Sequence, residues 1–260
     1  MAYRLDELRK GLKPLRLHWF ARLRSTNDHA AVLRRQRELF APAVVLTGHQ
    51  LAGRGRGGNG WFSGAGSITA TFAFSAEEHL LTHQLPLVAG LAVREAAETL
   101  LRTANARHTP AVQLKWPNDL LCDGRKLAGL LCERIDKVDL IGVGLNVNLD
   151  LRHAPAALRD RITSLAAQAH GPLDLTAALI TLAQALRRRI MRRGDRLFAE
   201  SLQEYDRHHA LVGRRVTVAG DNGSPPLTGR GEGLDDHGRL LLRARDRVHR
   251  IIAGHVVARD

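Results

Sequence analysis

The chain has 260 residues, 44% of them apolar, and its 39 Lys and Arg against 26 Asp and Glu give a formal net charge of +13. That length and apolar fraction are enough for a globular core in one large domain, or a large domain and a small one, and exclude a disordered chain. The sequence has no run of about 20 uncharged apolar residues, and its start is charged throughout, so the expectation is a cytoplasmic protein with neither a membrane span nor a secretory leader.

The basic excess predicts an anionic partner, whether nucleotide, nucleic acid or acidic protein, but it is spread along the chain. Arg187, Arg188, Arg189, Arg192 and Arg193 cluster where cations complement a helix dipole and predict a solvated helix end. Cys122 and Cys132 are the two cysteines, expected as free thiols in a reducing compartment. Thirteen histidines lack metal-ligand spacing, so no zinc site is expected.

In chain order, Ser25 with Asp28 three residues on has the form of a capping box ahead of Ala30, Ala31, Val32 and Leu33, and predicts a helix start. The same Ser25, Thr26, Asn27 run can present amides and hydroxyls to a polar ligand. Ala43 to Gln50 predicts a strand delivering Gln50 to a glycine-rich run that ends near Ser63. There the glycines permit close backbone approach, Arg54 and Arg56 offer planar forks for carboxylate or phosphate, and Trp61 offers a stacking face. A surface turn, an RGG-like nucleic-acid segment and a phosphate loop all fit that run, although the Gly-Lys-Ser/Thr ending of a phosphate loop is missing.

Gly66 to Phe74 alternates, with Ile68, Ala70, Phe72 and Phe74 opposed to Ser67, Thr69, Thr71 and Ala73, and predicts a half-buried strand. Leu85 to Leu101, with Pro86 in its first turn, predicts a buried helix packed on the sheet. Ala111 to Asp119 predicts a short strand, and Asp123-Gly124 a type I′ hairpin that pairs Cys122 with Arg125. From Asp139 to Asn148, Ile141, Val143, Leu145 and Val147 face one way and Gly142, Gly144, Asn146 and Asn148 the other. The glycine face is a floor with room above it for a ligand or a packed helix. Leu158 to Ala169 and Thr176 to Met191 predict helices, and Arg214 to Ala219, Leu240 to Ala244 and Val248 to Val257 the strands of a small appended barrel.

QLAGRGRGGNGWFS, KWPNDLLCDGRKLAGLLCE and IGVGLNVN, in this order and followed by ITSL at 162–165, resemble the biotin protein ligases from about Ser25 onward. The resemblance implies an α+β fold: a central mixed β-sheet backed by helices, similar to the class II aminoacyl-tRNA synthetases, over residues 1–210, then an SH3-like barrel over 211–260. It also implies an enzyme that uses ATP and Mg2+ to activate biotin as biotinyl-5′-AMP and transfers it to a lysine of a biotin carboxyl carrier domain, such as that of acetyl-CoA carboxylase. By the same resemblance Ser25, Thr26, Asn27 and Gln50 hold the biotin ring, and Gly53, Arg54, Gly55 and Arg56 form a loop that closes over biotin and phosphate. Trp61 then stacks on adenine, and Lys126, with Arg54 and Arg56, meets the reacting carboxylate and α-phosphate. Gly129, Gly142 and Gly144 permit close approach, Asn146 contacts the adenylate, and Asp119 lies near phosphate and magnesium.

Two features depart from the family pattern. Asn59 and Gly60 stand where a further basic residue often precedes the tryptophan, and Lys126 and Gly129 have opposite parity in a regular strand. A bulge, or a Gly129 that contributes only backbone, would resolve the second. About 24 residues precede Ser25, too few for a winged helix, so the expectation is a ligase without specific DNA binding, monomeric or homodimeric. Lipoate or octanoate transfer on the same core is the enzymatic alternative, and a basic nucleic-acid-binding module the non-enzymatic one.

Overall fold

A computed structural model describes residues 3–76, 80–104, 110–192, 197–219 and 225–259. Helix α1 (Leu5–Gly11) and strand β1 (Arg16–Leu23) come first, two elements that the charged start of the chain conceals. Helix α2 (Thr26–Arg35) follows, with Ser25 as its N-cap accepting from the Asp28 amide, then strand β2 (Ala43–Gln50). The glycine-rich run forms a small hairpin of β3 (Gly53–Arg54) and β4 (Gly60–Trp61) around a 3-10 turn at Arg56–Gly58. Strand β5 (Ser67–Ser75) and helix α3 (Leu85–Thr103) lead to β6 (Val112–Lys115), β7 (Asp119–Cys122), β8 (Arg125–Ile135) and β9 (Val138–Asn146).

The seven long strands make one sheet in the order β1-β2-β5-β9-β8-β7-β6, parallel between β1 and β2 and antiparallel elsewhere, which is the mixed sheet expected. Ile68, Phe72 and Phe74 of β5, and Ile141, Val143 and Leu145 of β9, are buried in a core shared with α3. β5 is nevertheless buried on both faces, not one. Thr69 and Thr71 are 3% and 0% exposed, and Ala73 joins Ala30, Ala31 and Leu33 of α2 in a second core. A helix lying over the polar face, which alternation cannot reveal, closes it off.

The expected strand from Ala111 to Asp119 is two strands. Trp116, Pro117 and Asn118 turn the chain so that Lys115 of β6 sits opposite Asp119 of β7. The next hairpin is as read: Asp123 and Gly124 both have positive φ and Cys122 pairs with Arg125. Both cysteines are free thiols, and burial raises the Cys122 pKa to about 11 and that of Cys132 further.

Past β9 the expected helix from Leu158 to Ala169 is broken into α4 (Ala156–Arg159) and α5 (Leu165–Ala169). Between them Ile162 bridges to Lys126, and Ser164 accepts the Ala167 amide as the cap of α5. Helix α6 (Leu175–Ile190) is as read, and α7 (Leu197–Arg207) was not anticipated. The arginine cluster at the end of α6 is solvent-facing, as expected, at Arg188 and Arg192, and is also ion-paired: Arg188 meets Glu95 of α3 at 2.7 Å, Arg192 meets Glu200 at 3.3 Å, and the largely covered Arg189 meets Glu204 of α7 at 2.7 Å. Arg193 lies outside the described residues.

The C-terminal strands β10 (Arg215–Ala219), β11 (Leu227–Leu234), β12 (Leu240–Ala244), β13 (Arg247–Ile251) and β14 (His255–Arg259) form an antiparallel sheet in the order β13-β12-β11-β10-β14. The run from Val248 to Val257 is therefore two strands, broken at Gly254 (φ 149°), and β11 was missed because its three glycines dilute the alternation. Val216, Val218, Leu240, Leu242 and Val256 extend the main core into this sheet. Trp116, 2% exposed, donates its indole N–H to the Gly238 carbonyl at 3.0 Å and ties the two sheets together.

Candidate functional site

A cavity of about 940 Å³ opens between the large sheet, the glycine hairpin and the start of the C-terminal sheet. The sequence-predicted residues converge on it: Ser25, Thr26, Asn27, Gln50, Arg54, Gly55, Arg56, Trp61, Asp119, Lys126, Gly129, Gly142 and Gly144 all line it. Gly53 and Asn146 do not. Gly53 pairs with Trp61 in the hairpin, where a Cβ would fall 2.5 Å from the Trp61 carbonyl oxygen. Asn146 is 2% exposed beneath the wall and donates to the Thr163 carbonyl at 3.0 Å, so it holds the 161–163 segment in place.

One end of the cavity is neutral and densely hydrogen-bonded. The first turn of α2 points at it because the Ser25 cap starts the helix there. Gln50 Oε1 accepts from the Thr26 amide at 2.9 Å and the Thr26 hydroxyl at 3.3 Å, which leaves the Gln50 amide N–H groups uncommitted among the described residues. Asn27 Oδ1 accepts from Thr71 Oγ1 at 2.6 Å, while its Nδ2 donates to the Leu131 carbonyl at 3.1 Å and to Glu133 at 2.8 Å. Both amide hydrogens are thus committed and one lone pair of Oδ1 is left. Gly142 makes this possible: a Cβ there would lie 2.1 Å from Asn27 Oδ1.

At the other end an indole lies across glycines, with cations beside it. A Cβ on Gly144 would sit 2.2 Å from the Trp61 ring, and one on Gly129 3.1 Å from the ring and 3.2 Å from Lys126 Nζ. The room above the floor of β9 is therefore taken up by Asn27 and Trp61, which bring their polar and stacking groups into the cavity. Lys126 Nζ stands 5.5 Å from the Trp61 ring centroid and 2.7 Å from Asp119 Oδ1. The parity conflict is settled by a bulge: Leu120 pairs with Ala128 and Leu121 with Lys126, so Leu127 is the extra residue and is wholly buried. Lys126 is also clamped by its backbone, which donates to the Arg161 carbonyl and accepts from the Thr163 amide at 2.8 and 2.9 Å.

The two loop arginines differ. Arg54 is gripped by Asp28 and lies 3.3 Å from Glu133, so the hairpin is latched to α2 and β8. Arg56 lines the cavity with its Nη1 buried and unpartnered, as is the Trp61 indole nitrogen. Asn59, where a cation was missed, donates to the Arg56 carbonyl at 2.9 Å and closes the turn. Sequence reasoning passed over Lys115, Arg161 and Arg214, which also line the cavity. Burial pulls the Lys115 pKa down, helped by Lys126 and Arg161 and opposed by Asp119. The Lys115 signal was present, since strand parity places Lys115 and Asp119 on one face; Arg161 and Arg214 come from segments whose position only the fold defines.

Residues 19–150 match the Biotin/lipoate A/B protein ligase family and residues 211–259 the Biotin protein ligase C terminal domain. The Biotin--[acetyl-CoA-carboxylase] ligase of Mycobacterium tuberculosis (strain ATCC 25618 / H37Rv) is 33% identical over 220 residues, 82% of this chain and 78% of that one. The ligase of the same description from Paracoccus denitrificans is 32% identical over 230 residues, 86% of this chain and 92% of that one. The solved structure of biotin protein ligase from Aquifex aeolicus in complex with biotin and ATP is similar with a TM-score of 0.78 at 26% identity, covering 94% of this chain and 98% of that one.

Proposed function

The chain belongs to the biotin/lipoate A/B protein ligase family, and from that premise we infer that its cavity activates biotin with ATP and hands the acyl group to a lysine of a carboxylase carrier domain. In the first step a biotin carboxylate oxygen bonds to the α-phosphorus of ATP as the bond to pyrophosphate breaks. In the second a neutral lysine amine attacks the acyl carbon, the C–N bond forms, the C–O bond to phosphate breaks, and AMP leaves while the amine sheds a proton. Both steps build negative charge at fixed positions, so preorganised cations and donors are what accelerate them.

We assign the neutral end to the ureido ring, with the free Gln50 N–H groups as donors, the remaining lone pair of Asn27 as acceptor, and Ser25 and Thr26 beside them. Arg56, Lys126 and Lys115 are assigned to the carboxylate and α-phosphate, Gly55 and Gly129 to close approach there, and Trp61 to stacking on the adenylate. Arg54, neutralised by Asp28 and Glu133, acts as the latch of the loop rather than as a phosphate ligand. Gly142 and Gly144 make room for Asn27 and Trp61, and Gly53 and Asn146 support the wall. Mg2+ enters as Mg-ATP. Of the two carboxylates that line the cavity, Asp119 and Asp160, Asp119, which is paired with Lys126, would be the one to meet that ion. We place the domain boundary at 210/211 and the enzyme in the cytoplasm, acting without specific DNA binding.

The observation that carries this reading is one cavity holding a neutral donor-acceptor set and a cationic set at its two ends above the glycines of β8 and β9, as a molecule with a urea at one end and a carboxylate at the other requires. Incubation with Mg-ATP, labelled biotin and a carrier domain tests it. Pyrophosphate release that depends on biotin, followed by label on one carrier lysine, is expected. Label from lipoate or octanoate in preference to biotin would shift the substrate, and no nucleotide-dependent pyrophosphate release would overturn the reading.

A further inference from the structure

A second, shallower groove of about 460 Å³ lies on the C-terminal sheet, lined by Gly213, Arg215, Thr228, Arg230, Arg243 and Arg245 among others. Its arginines are in cross-strand register: Arg215 of β10 is opposite Arg230 of β11, and Arg230 is opposite Arg243 of β12. Residues opposite one another share a face, so three exposed guanidinium groups stand in a row at the strand spacing of about 4.8 Å. Like charges directly opposite destabilise a sheet, and one such pair is normally avoided. Glu232 offsets part of this by gripping Arg243. Among the described residues neither Arg215, Arg230 nor Arg245 forms an ion pair, and Asp246, next to Arg245 in the turn, forms none either.

The groove lining separates the anions that such a row could meet. A protein partner would need apolar or aromatic anchors at the centre of its footprint, and this groove has none: beyond arginine it offers only glycine, the methyl of Ala244 and Thr228. Arginine forks, threonine hydroxyls and exposed backbone are the groups that contact phosphodiesters without reading bases. Thr228 sits with Thr217 in the row beside the arginines, hydroxyl to hydroxyl at 2.9 Å. Arg215 and Arg230 point away from the buried Val216 and Leu242 side of the sheet, so a long polymer can lie across them without entering the ligase cavity.

We propose that the outer face of the C-terminal sheet binds the phosphate backbone of nucleic acid without sequence preference, through Arg215, Arg230 and Arg245 with Arg243 beside them. The test is fluorescence anisotropy of the full chain with a labelled DNA duplex of about 20 base pairs across a salt series, for wild type and for Arg215→Gln/Arg230→Gln/Arg245→Gln, where each phosphate contact adds about 0.9 to the log-log salt slope. The triple variant is expected to bind at least about tenfold more weakly at low salt and to lose about two to three from that slope, with biotin transfer unchanged because none of the three residues lines the ligase cavity, and with Tm no lower than wild type because the like-charge row is relieved. Unchanged affinity and slope in a variant whose Tm is not lowered would overturn the proposal. So would equal competition by poly-glutamate, which would assign the row to an acidic protein instead.

Discussion

A methyl group added at Gly142 would land 2.1 Å from Asn27 Oδ1, and one at Gly144 2.2 Å from the Trp61 ring, so each glycine is fixed by one neighbour. Gly142→Ala is expected to push Asn27 off Thr71, Leu131 and Glu133, to raise the KM for biotin at least about tenfold, and to cost about 1–3 kcal/mol as an overpacked core does. An unchanged KM in biotin-dependent pyrophosphate release would remove Asn27 from recognition. Lys126→Ala removes a donor held by the backbone clamp, and adenylation is expected to slow by on the order of 10²-fold. Lys115 makes a prediction about pH. Its folded pKa lies below the unfolded value of about 10.4, so the folded chain bears the cost of a half-buried cation at neutral pH, and stability recovers as pH rises through the folded pKa. Lys115→Met should therefore raise Tm at neutral pH while slowing adenylation, whereas Lys115→Arg should keep adenylation active to higher pH than wild type. A lower Tm for the methionine variant would show that Lys115 is stabilising where it stands.

At the scale of elements, the β3-β4 hairpin is the part most exposed to experiment. Arg54 latches it from outside, and Arg56 reaches inward with an unpartnered guanidinium nitrogen. A charge-assisted contact from Arg56 to the adenylate phosphate is worth roughly 1.5–3 kcal/mol, or about one to two decades of retention. Arg56→Gly is thus expected to form biotinyl-AMP yet release it early, labelling albumin present beside the carrier domain. Adenylate formation with no more albumin label than wild type gives would assign retention to other residues. The glycine-rich run, its tryptophan and the glycines of β9 were legible as places of close approach because residue type alone restricts what they can do, although the pairing of β3 with β4 within that run was not. The division of α4 from α5 was not, since Arg161, Ile162 and Thr163 leave the helix to extend the sheet beside Lys126, a demand set by a strand about 35 residues earlier. The bulge at Leu127 could be anticipated from the clash of parity between Lys126 and Gly129, but not placed.

Over the whole molecule, the two sheets are joined through Trp116 and Gly238. Trp116→Phe keeps most of the apolar contact and leaves the buried Gly238 carbonyl without its donor, an expected loss of about 1–3 kcal/mol in chemical denaturation. Two separate unfolding transitions in that variant, against one in wild type, would show that this bond couples the units. The junction was hidden in the sequence because nothing in KWPND declares that its tryptophan serves a glycine 122 residues away. The same junction has a consequence in time. Gly254 and Val256 line the ligase cavity, and β14 closes against β10, so a strand translated long after the β3-β4 hairpin supplies part of the cavity wall. A chain emerging at about 5–20 residues per second presents its biotin-facing hairpin many seconds before that wall exists. Stalled nascent chains ending at 210 are therefore expected to leak any adenylate they make into solution, and biotin on bystander lysines of ribosomes carrying such chains is the signature to look for.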